Sequence, residues 1–230
     1  MKIMGLQKLT LLDYPGKMAC TVFTGGCNFR CPFCHNASLV VGDMSNQDIT
    51  EDEFFAFLDK RVNILDGVCI TGGEPTLQKD LEEFIRKIKS KGFLVKLDTN
   101  GYRPDVLKRL VNEKLIDYVA MDIKNSPKMY AATVGIQDID MSLINESMEF
   151  LKKGNVDYEF RTTIVNGLHD SDSIQDMVLW IAGEEKYYLQ GFVDSGDILG
   201  VGYAGYDREK MSEFLEIARK YVPKAELRGI

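Results

Sequence analysis

The sequence has little histidine, one tryptophan, no long apolar run and no basic tract. Two histidines in 230 residues cannot build a zinc centre resting on several imidazoles. No stretch of 18 apolar residues occurs, which excludes an ordinary membrane-spanning helix. The opening Met1-Lys2-Ile3-Met4-Gly5 lacks the apolar region and cleavage pattern of a signal peptide, so a cytoplasmic location and no membrane association are expected. Lysine and arginine number 28 against 35 aspartates and glutamates, a net charge of -7 that gives no support to a nucleic-acid surface. Hydrophobic residues at 45% and charged residues at 27% exclude a disordered or fibrous chain. The five cysteines are odd in number, and three fall within eight positions, which fits metal ligation better than a disulfide framework.

Short apolar runs alternate with longer amphipathic segments. Strands are expected over 19–24, 67–71, 93–98, 118–123, 158–165 and 187–192, with Lys96 interrupting the third. Helices are expected over 51–62, 80–89, 105–113, 141–153, 173–182 and 208–220. Thr50 and Glu53 form a capping box for the first helix, and Pro104 opens the third. About six strand-helix units imply a parallel sheet with right-handed crossovers. Periodicity leaves an open barrel and a doubly wound sheet as alternatives. In either, sites gather at the C-terminal strand ends. No linker rich in proline, glycine or serine divides the chain, so one domain over 1–230 is expected.

The polar motifs sit where the strands end. Cys27-Asn28-Phe29-Arg30-Cys31-Pro32-Phe33-Cys34 has the spacing C-x3-C-x2-C. Three thiolates on so short a loop can hold three corners of a [4Fe–4S] cube, leaving the fourth iron open. Zinc is the alternative, with His35 as a fourth ligand, although zinc sites usually show paired C-x2-C spacing. Cys20 and Cys69 lie inside strands and read as small core residues. Further along stand Thr71-Gly72-Gly73-Glu74-Pro75, Asp98-Thr99-Asn100-Gly101, Asp122-Ile123-Lys124 and Arg161. Bland readings of these are a turn, solvated strand ends and a surface ion pair.

The cysteine loop resembles the cluster motif of the radical S-adenosylmethionine (SAM) superfamily. Together with LLDYPGK, TGGEPTLQ, DTNG and MDIK, it is similar to the short anaerobic ribonucleoside-triphosphate reductase activating proteins, a subgroup of glycyl-radical enzyme activases. The resemblance covers nearly the whole chain. It implies a partial (β/α)6 TIM-like barrel of the α/β class. It implies one [4Fe–4S] cluster on Cys27, Cys31 and Cys34, with SAM on the open iron. Phe33 would pack by the adenine, and Gly72, Gly73 and Glu74 would meet the amino group of SAM. Glycines there would let the backbone approach the ligand. Asn100 would lie near the ribose and methionine, Lys124 and Asp122 by the SAM carboxylate, and Arg161 near the adenosyl group. Asp98, Thr99 and Asp122 match residues that hold a monovalent cation in one such activase. His169 and Gln190 are further candidates.

The implied reaction is one-electron cleavage of SAM to a 5'-deoxyadenosyl radical, which abstracts hydrogen from a glycine of a partner enzyme. Anaerobic ribonucleotide reductase is the expected partner, with flavodoxin or ferredoxin as electron donor. No second cysteine cluster lies between Cys34 and Cys69, so no ferredoxin-like insert is expected. Two alternatives stand beside this. One is a radical SAM enzyme acting on a small molecule or peptide, as in the 7-carboxy-7-deazaguanine synthases. The other is a non-catalytic metal-binding interaction module.

Overall fold

The computed structural model describes residues 1–41, 49–183, 186–194 and 196–230. Eight strands are hydrogen-bonded in their order along the chain. They are β1 (Ile3–Thr10), β2 (Ala19–Thr24), β3 (Gly67–Gly72), β4 (Leu94–Thr99), β5 (Tyr118–Asp122), β6 (Asp157–Ile164), β7 (Tyr187–Gly191) and β8 (Glu226–Arg228). Between them run α1 (Ala37–Val41), α2 (Glu51–Asp59), α3 (Leu81–Ser90), α4 (Pro104–Asn112), α5 (Tyr130–Val134), α6 (Met141–Lys152), α7 (Ser171–Trp180) and α8 (Arg208–Arg219). From β2 to β7 each strand is followed by a helix, the α/β alternation of a partial (β/α)6 barrel. No described helix is long and apolar enough to cross a membrane.

The chain forms two compact units. The first comprises Met1–Asn28, Ser38–Ala120 and Leu143–Asp157. Here β1 and β2 form an antiparallel hairpin around Pro15-Gly16, while β2, β3 and β4 are parallel neighbours. Gly16 has φ +67°, a left-handed turn conformation that a side chain resists. The β2 and β3 residues Cys20, Val22, Val68, Cys69 and Ile70 are fully buried, as a strand covered on both faces requires. Leu81, Phe84, Ile85 and Ile88 of α3 form the buried stripe that their spacing predicts. Each such side chain contributes roughly 1.5–3 kcal/mol by leaving water. The Thr50–Glu53 capping box is formed in both directions, with Glu53 N donating to Thr50 Oγ1 and Thr50 N to Glu53 Oε2. Burial raises the Cys20 thiol to about 12, and Cys69 is raised for the same reason, so both are inert core residues.

The second unit comprises Phe29–Ala37, Met121–Ser142 and Tyr158–Ile230. In it β6, β7 and β8 run parallel. Tyr187 in β7 is buried, and its hydroxyl donates to Thr162 Oγ1 at 2.9 Å. Ile174, Met177 and Val178 of α7 and Phe214 of α8 complete its core.

The expected strands and helices are present with ends shifted by up to three residues. Among the described residues, β1, β8, α1, α5 and the 3-10 turn Pro75–Leu77 were not expected. β1 shows burial only at its ends, so it lacks the alternation of a half-buried strand and owes its form to pairing with β2. β8 has three residues and α1 and α5 five each, too short for a period to be visible.

Candidate functional site

In the first unit, the cysteine loop starts as a backbone-to-backbone joint. Gly73 N donates to Thr24 O and Glu74 N to Gly26 O, both at 2.8 Å, and Gln78 Nε2 reaches Gly25 O at 2.8 Å. A Cβ on Gly73 would stand 1.9 Å from Gly26 O, and one on Gly72 would stand 2.4 Å from Thr24 N. Gly72 also has φ +110°. The two glycines are therefore required by the close approach of β3's end to the loop that carries Cys27.

Glu74 is 1% exposed, and its carboxylate gathers four donors. Thr76 N (3.1 Å), Thr76 Oγ1 (2.5 Å) and Thr99 Oγ1 (2.8 Å) reach Oε1, and Asn100 N reaches Oε2 at 2.8 Å. Burial raises its pKa, and these hydrogen bonds pull it back only in part. Glu74 thus ties the end of β3 to the end of β4. Asn100 then turns its carboxamide to the cysteine loop: its Nδ2 donates to Asn28 Oδ1 at 2.8 Å and lies 3.9 Å from Cys27 Sγ. Asp98 pairs with the buried ammonium of Lys96, two residues earlier on the same face of β4.

In the second unit, Cys34 N donates to Cys31 O at 3.1 Å, closing the turn between those two cysteines. Gly200 N holds Pro32 O at 2.7 Å and Arg30 N holds Val134 O at 2.8 Å, so the loop is anchored on both sides. Cys31 is buried and Cys34 partly exposed, and none of the five cysteines is in a disulfide. Phe33 is buried edge-on against Phe192, with ring centres 6.5 Å apart, and His35 stacks on the same ring at 5.0 Å.

Asp122, at the end of β5, lies between Lys124 (2.8 Å) and Arg161 of β6 (2.5 Å). Burial opposes its charged form, but the Arg161 and Lys124 charges outweigh that and hold its pKa far below the usual carboxylate range. Burial likewise opposes the Lys124 ammonium, and Asp122 more than offsets it. The trio carries one positive charge in excess.

His169 is 2% exposed and uses both ring nitrogens. Val165 N donates to Nδ1 at 3.1 Å, so Nδ1 is bare and Nε2–H donates to Lys124 O at 2.9 Å. It holds the Lys124 backbone. Burial lowers its pKa below the usual 6.5, and Asp170 and the two backbone contacts only partly oppose this. Below about pH 6.5 the unfolded chain binds a proton that folded His169 refuses, so stability falls with pH. The slope contributed by this residue approaches about 1.4 kcal/mol per pH unit. Urea unfolding between about pH 7.5 and about 5.5 should show that slope reduced in His169→Asn; equal slopes would refute it. Gln190 is half-buried in β7, in register with Thr163 and Arg228.

Asn28, Lys96 and the Phe192 wall were not singled out as site residues. Lys96 did carry a signal, a cation in an apolar strand with an acid two residues on. Among the described residues no three Cys, His, Asp or Glu side chains converge on a single metal ion. Ligands of a cube bind separate irons and stand further apart than ligands sharing one ion.

The model of the radical SAM superfamily matches residues 21–181. A Methanocaldococcus jannaschii protein named for glycyl-radical enzyme activation is 35% identical, over 99% of this chain and 96% of its own length. A second protein of that organism, with the same kind of name, is 28% identical over 88% of this chain and 77% of its own. Among solved structures, a radical SAM methyltransferase from Sphaerobacter thermophilus superposes with a TM-score of 0.73 at 18% identity. That match covers 96% of this chain and 68% of the methyltransferase.

Proposed function

The chain belongs to the radical SAM superfamily, and from that premise we propose that it activates anaerobic ribonucleoside-triphosphate reductase by taking a hydrogen from a glycine of that enzyme. It is a radical SAM enzyme of the glycyl-radical-enzyme activating type. The observation that carries the type is the near full-length similarity to the M. jannaschii protein of that name. The choice of reductase rests on the combined motifs LLDYPGK, TGGEPTLQ, DTNG and MDIK in a sequence with no further cysteine between Cys34 and Cys69. A flavodoxin or ferredoxin is the proposed electron donor.

Cys27, Cys31 and Cys34 would hold one [4Fe–4S] cluster. The donor set fits: three thiols outside any disulfide lie on an anchored loop, and a buried carboxamide nitrogen of Asn28 beside Cys27 has no partner. Lys124, Asp122 and Arg161 would meet SAM, because their net positive charge suits its carboxylate. The Gly72-Gly73 backbone would face its amino group, since the Glu74 carboxylate already serves four internal donors. Thr99 and Asn100 extend that support. Phe33, backed by Phe192, would cover the adenine and exclude water. When bound, the reduced cluster and SAM supply the 5'-deoxyadenosyl radical.

The monovalent cation expected at Asp98, Thr99 and Asp122 is not part of this proposal, because those residues do not fit it. Asp98 faces the Lys96 ammonium, Thr99 Oγ1 donates to Glu74, and both Asp122 oxygens are ion-paired.

The test is anaerobic. Reconstituted, dithionite-reduced protein is incubated with SAM and the candidate reductase, 5'-deoxyadenosine is read by chromatography, and the reductase is read by EPR. A glycyl-radical signal that depends on this protein supports the proposal. SAM cleavage with no such signal on the reductase would overturn the choice of partner. Lys124→Ala is expected to retain the cluster and bind SAM at least about tenfold more weakly, the loss of one charge-assisted contact of some 1.4 kcal/mol. Unchanged affinity by equilibrium dialysis would remove Lys124 from the site.

A further inference from the structure

Asn28 follows the first cysteine of the loop, and the orientation of its carboxamide is dictated by its neighbours. Tyr102 N donates to Asn100 Oδ1 at 3.0 Å. The other carboxamide atom of Asn100 is therefore its nitrogen, which donates to Asn28 Oδ1 at 2.8 Å. Asn28 must then turn its own nitrogen away from Asn100. That Nδ2 is buried and has no hydrogen-bond partner. Native folds rarely bury an amide nitrogen without an acceptor, and such an orphan points to a group that arrives later.

The adjacent Cys27 indicates what that group is. As a thiol, its Sγ lies 3.8 Å from Asn28 Oδ1 and 3.9 Å from Asn100 Nδ2. On ligation the sulfur loses its proton and can only accept. Beside Cys27 then stand two carboxamides, and what they can offer an anionic sulfur is their nitrogens. Asn100 is fixed in turn through its backbone N–H on Glu74.

We propose that Asn28 is a positioning residue whose Nδ2–H donates to a sulfur of the cluster held at Cys27, with Asn100 setting its direction. This rests on the cluster assignment above. A donor to a cluster sulfur draws off negative charge and makes reduction easier, so Asn28 raises the reduction potential. It also accounts for a polar side chain at a position where the spacing C-x3-C-x2-C asks for none.

The experiment uses the reconstituted full chain without SAM. Iron and sulfide content and the reduced EPR signal are recorded first; their absence in the wild type would fail the cluster assignment rather than this inference. An EPR-monitored redox titration then compares the wild type with Asn28→Leu and Asn28→Asp. Both variants are expected to keep the cluster and to titrate at more negative potential. Asn28→Asp should lie lowest, because an acceptor oxygen replaces the donor. A Leu variant with wild-type potential overturns the proposal, as does an Asp variant at or above it. Should neither variant assemble a cluster, the wild type grown with 15N-asparagine decides by pulsed EPR. A 15N coupling to the reduced cluster that persists in Asn100→Ser, where the second nearby carboxamide is gone, supports the proposal, and its absence overturns it.

Discussion

Cys31→Ala is expected to give a folded protein with no [4Fe–4S] EPR signal and no 5'-deoxyadenosine formation. Cys31 is the middle ligand of the loop and is 7% exposed. Its carbonyl accepts Cys34 N, a backbone bond that alanine preserves. The substitution deletes one sulfur and little volume, so the fold should lose no more than about 1–2 kcal/mol. Two remaining thiolates are too few for a site-differentiated cube. Cys69→Ala is the control: it removes an equally small, fully buried side chain from β3 and should leave cluster and cleavage intact. Iron and sulfide analysis with reduced-state EPR measures the cluster, chromatography the cleavage, and urea unfolding the fold. A Cys31→Ala protein with a normal cluster signal and normal turnover would sink the ligand assignment.

Glu74→Ala is expected to cost about 2–6 kcal/mol of stability, before any cluster or SAM is added. The carboxylate accepts two fixed backbone donors, Thr76 N and Asn100 N, and two hydroxyls. Truncation leaves the backbone donors buried without an acceptor, and each such group costs roughly 1–3 kcal/mol. Glu74→Gln keeps the shape and lightens the burial cost that raises the Glu74 pKa. Its amide nitrogen must still face a donor on one side, so a loss of about 1–2 kcal/mol is expected. Urea unfolding of the apo protein measures both. If Glu74→Ala stayed within about 0.5 kcal/mol of the wild type, Glu74 would not be the tie between β3 and β4. The functional consequence follows through Asn100, which Glu74 holds and which in turn holds Asn28 beside Cys27. Slower or incomplete cluster reconstitution in the Gln variant is the expected sign of that link.

The local signals in the chain were enough for strands β2 to β7, for helices α2, α3, α4, α6, α7 and α8, and for the superfamily. The stripe Leu81, Phe84, Ile85, Ile88 marks α3, and Thr50 with Glu53 marks the start of α2, because helix period and capping act within a few residues. The placement of Gly72-Gly73, Asn100 and Lys124 at the ends of β3, β4 and β5 follows from strand-helix alternation alone. The C-x3-C-x2-C spacing is likewise local, since three thiolates on eight residues have few uses.

What only the tertiary structure decided is which polar group satisfies which. Asn100 meets Glu74 across 26 positions and Asn28 across 72. His169 meets Lys124 across 45. Parallel strands bring their ends side by side while keeping them far apart in sequence, so no window along the chain contains such a pair. The same geometry gives the glycines a structural reason of their own: a Cβ on Gly73 would meet the carbonyl of Gly26, a contact that exists only once β2 and β3 are paired. It also makes Glu74 an internal tie between β3 and β4, and Lys96, an interruption in the strand pattern, the partner of Asp98. Periodicity reports how a segment meets water. The accounts of buried hydrogen bonds close only when distant segments meet each other.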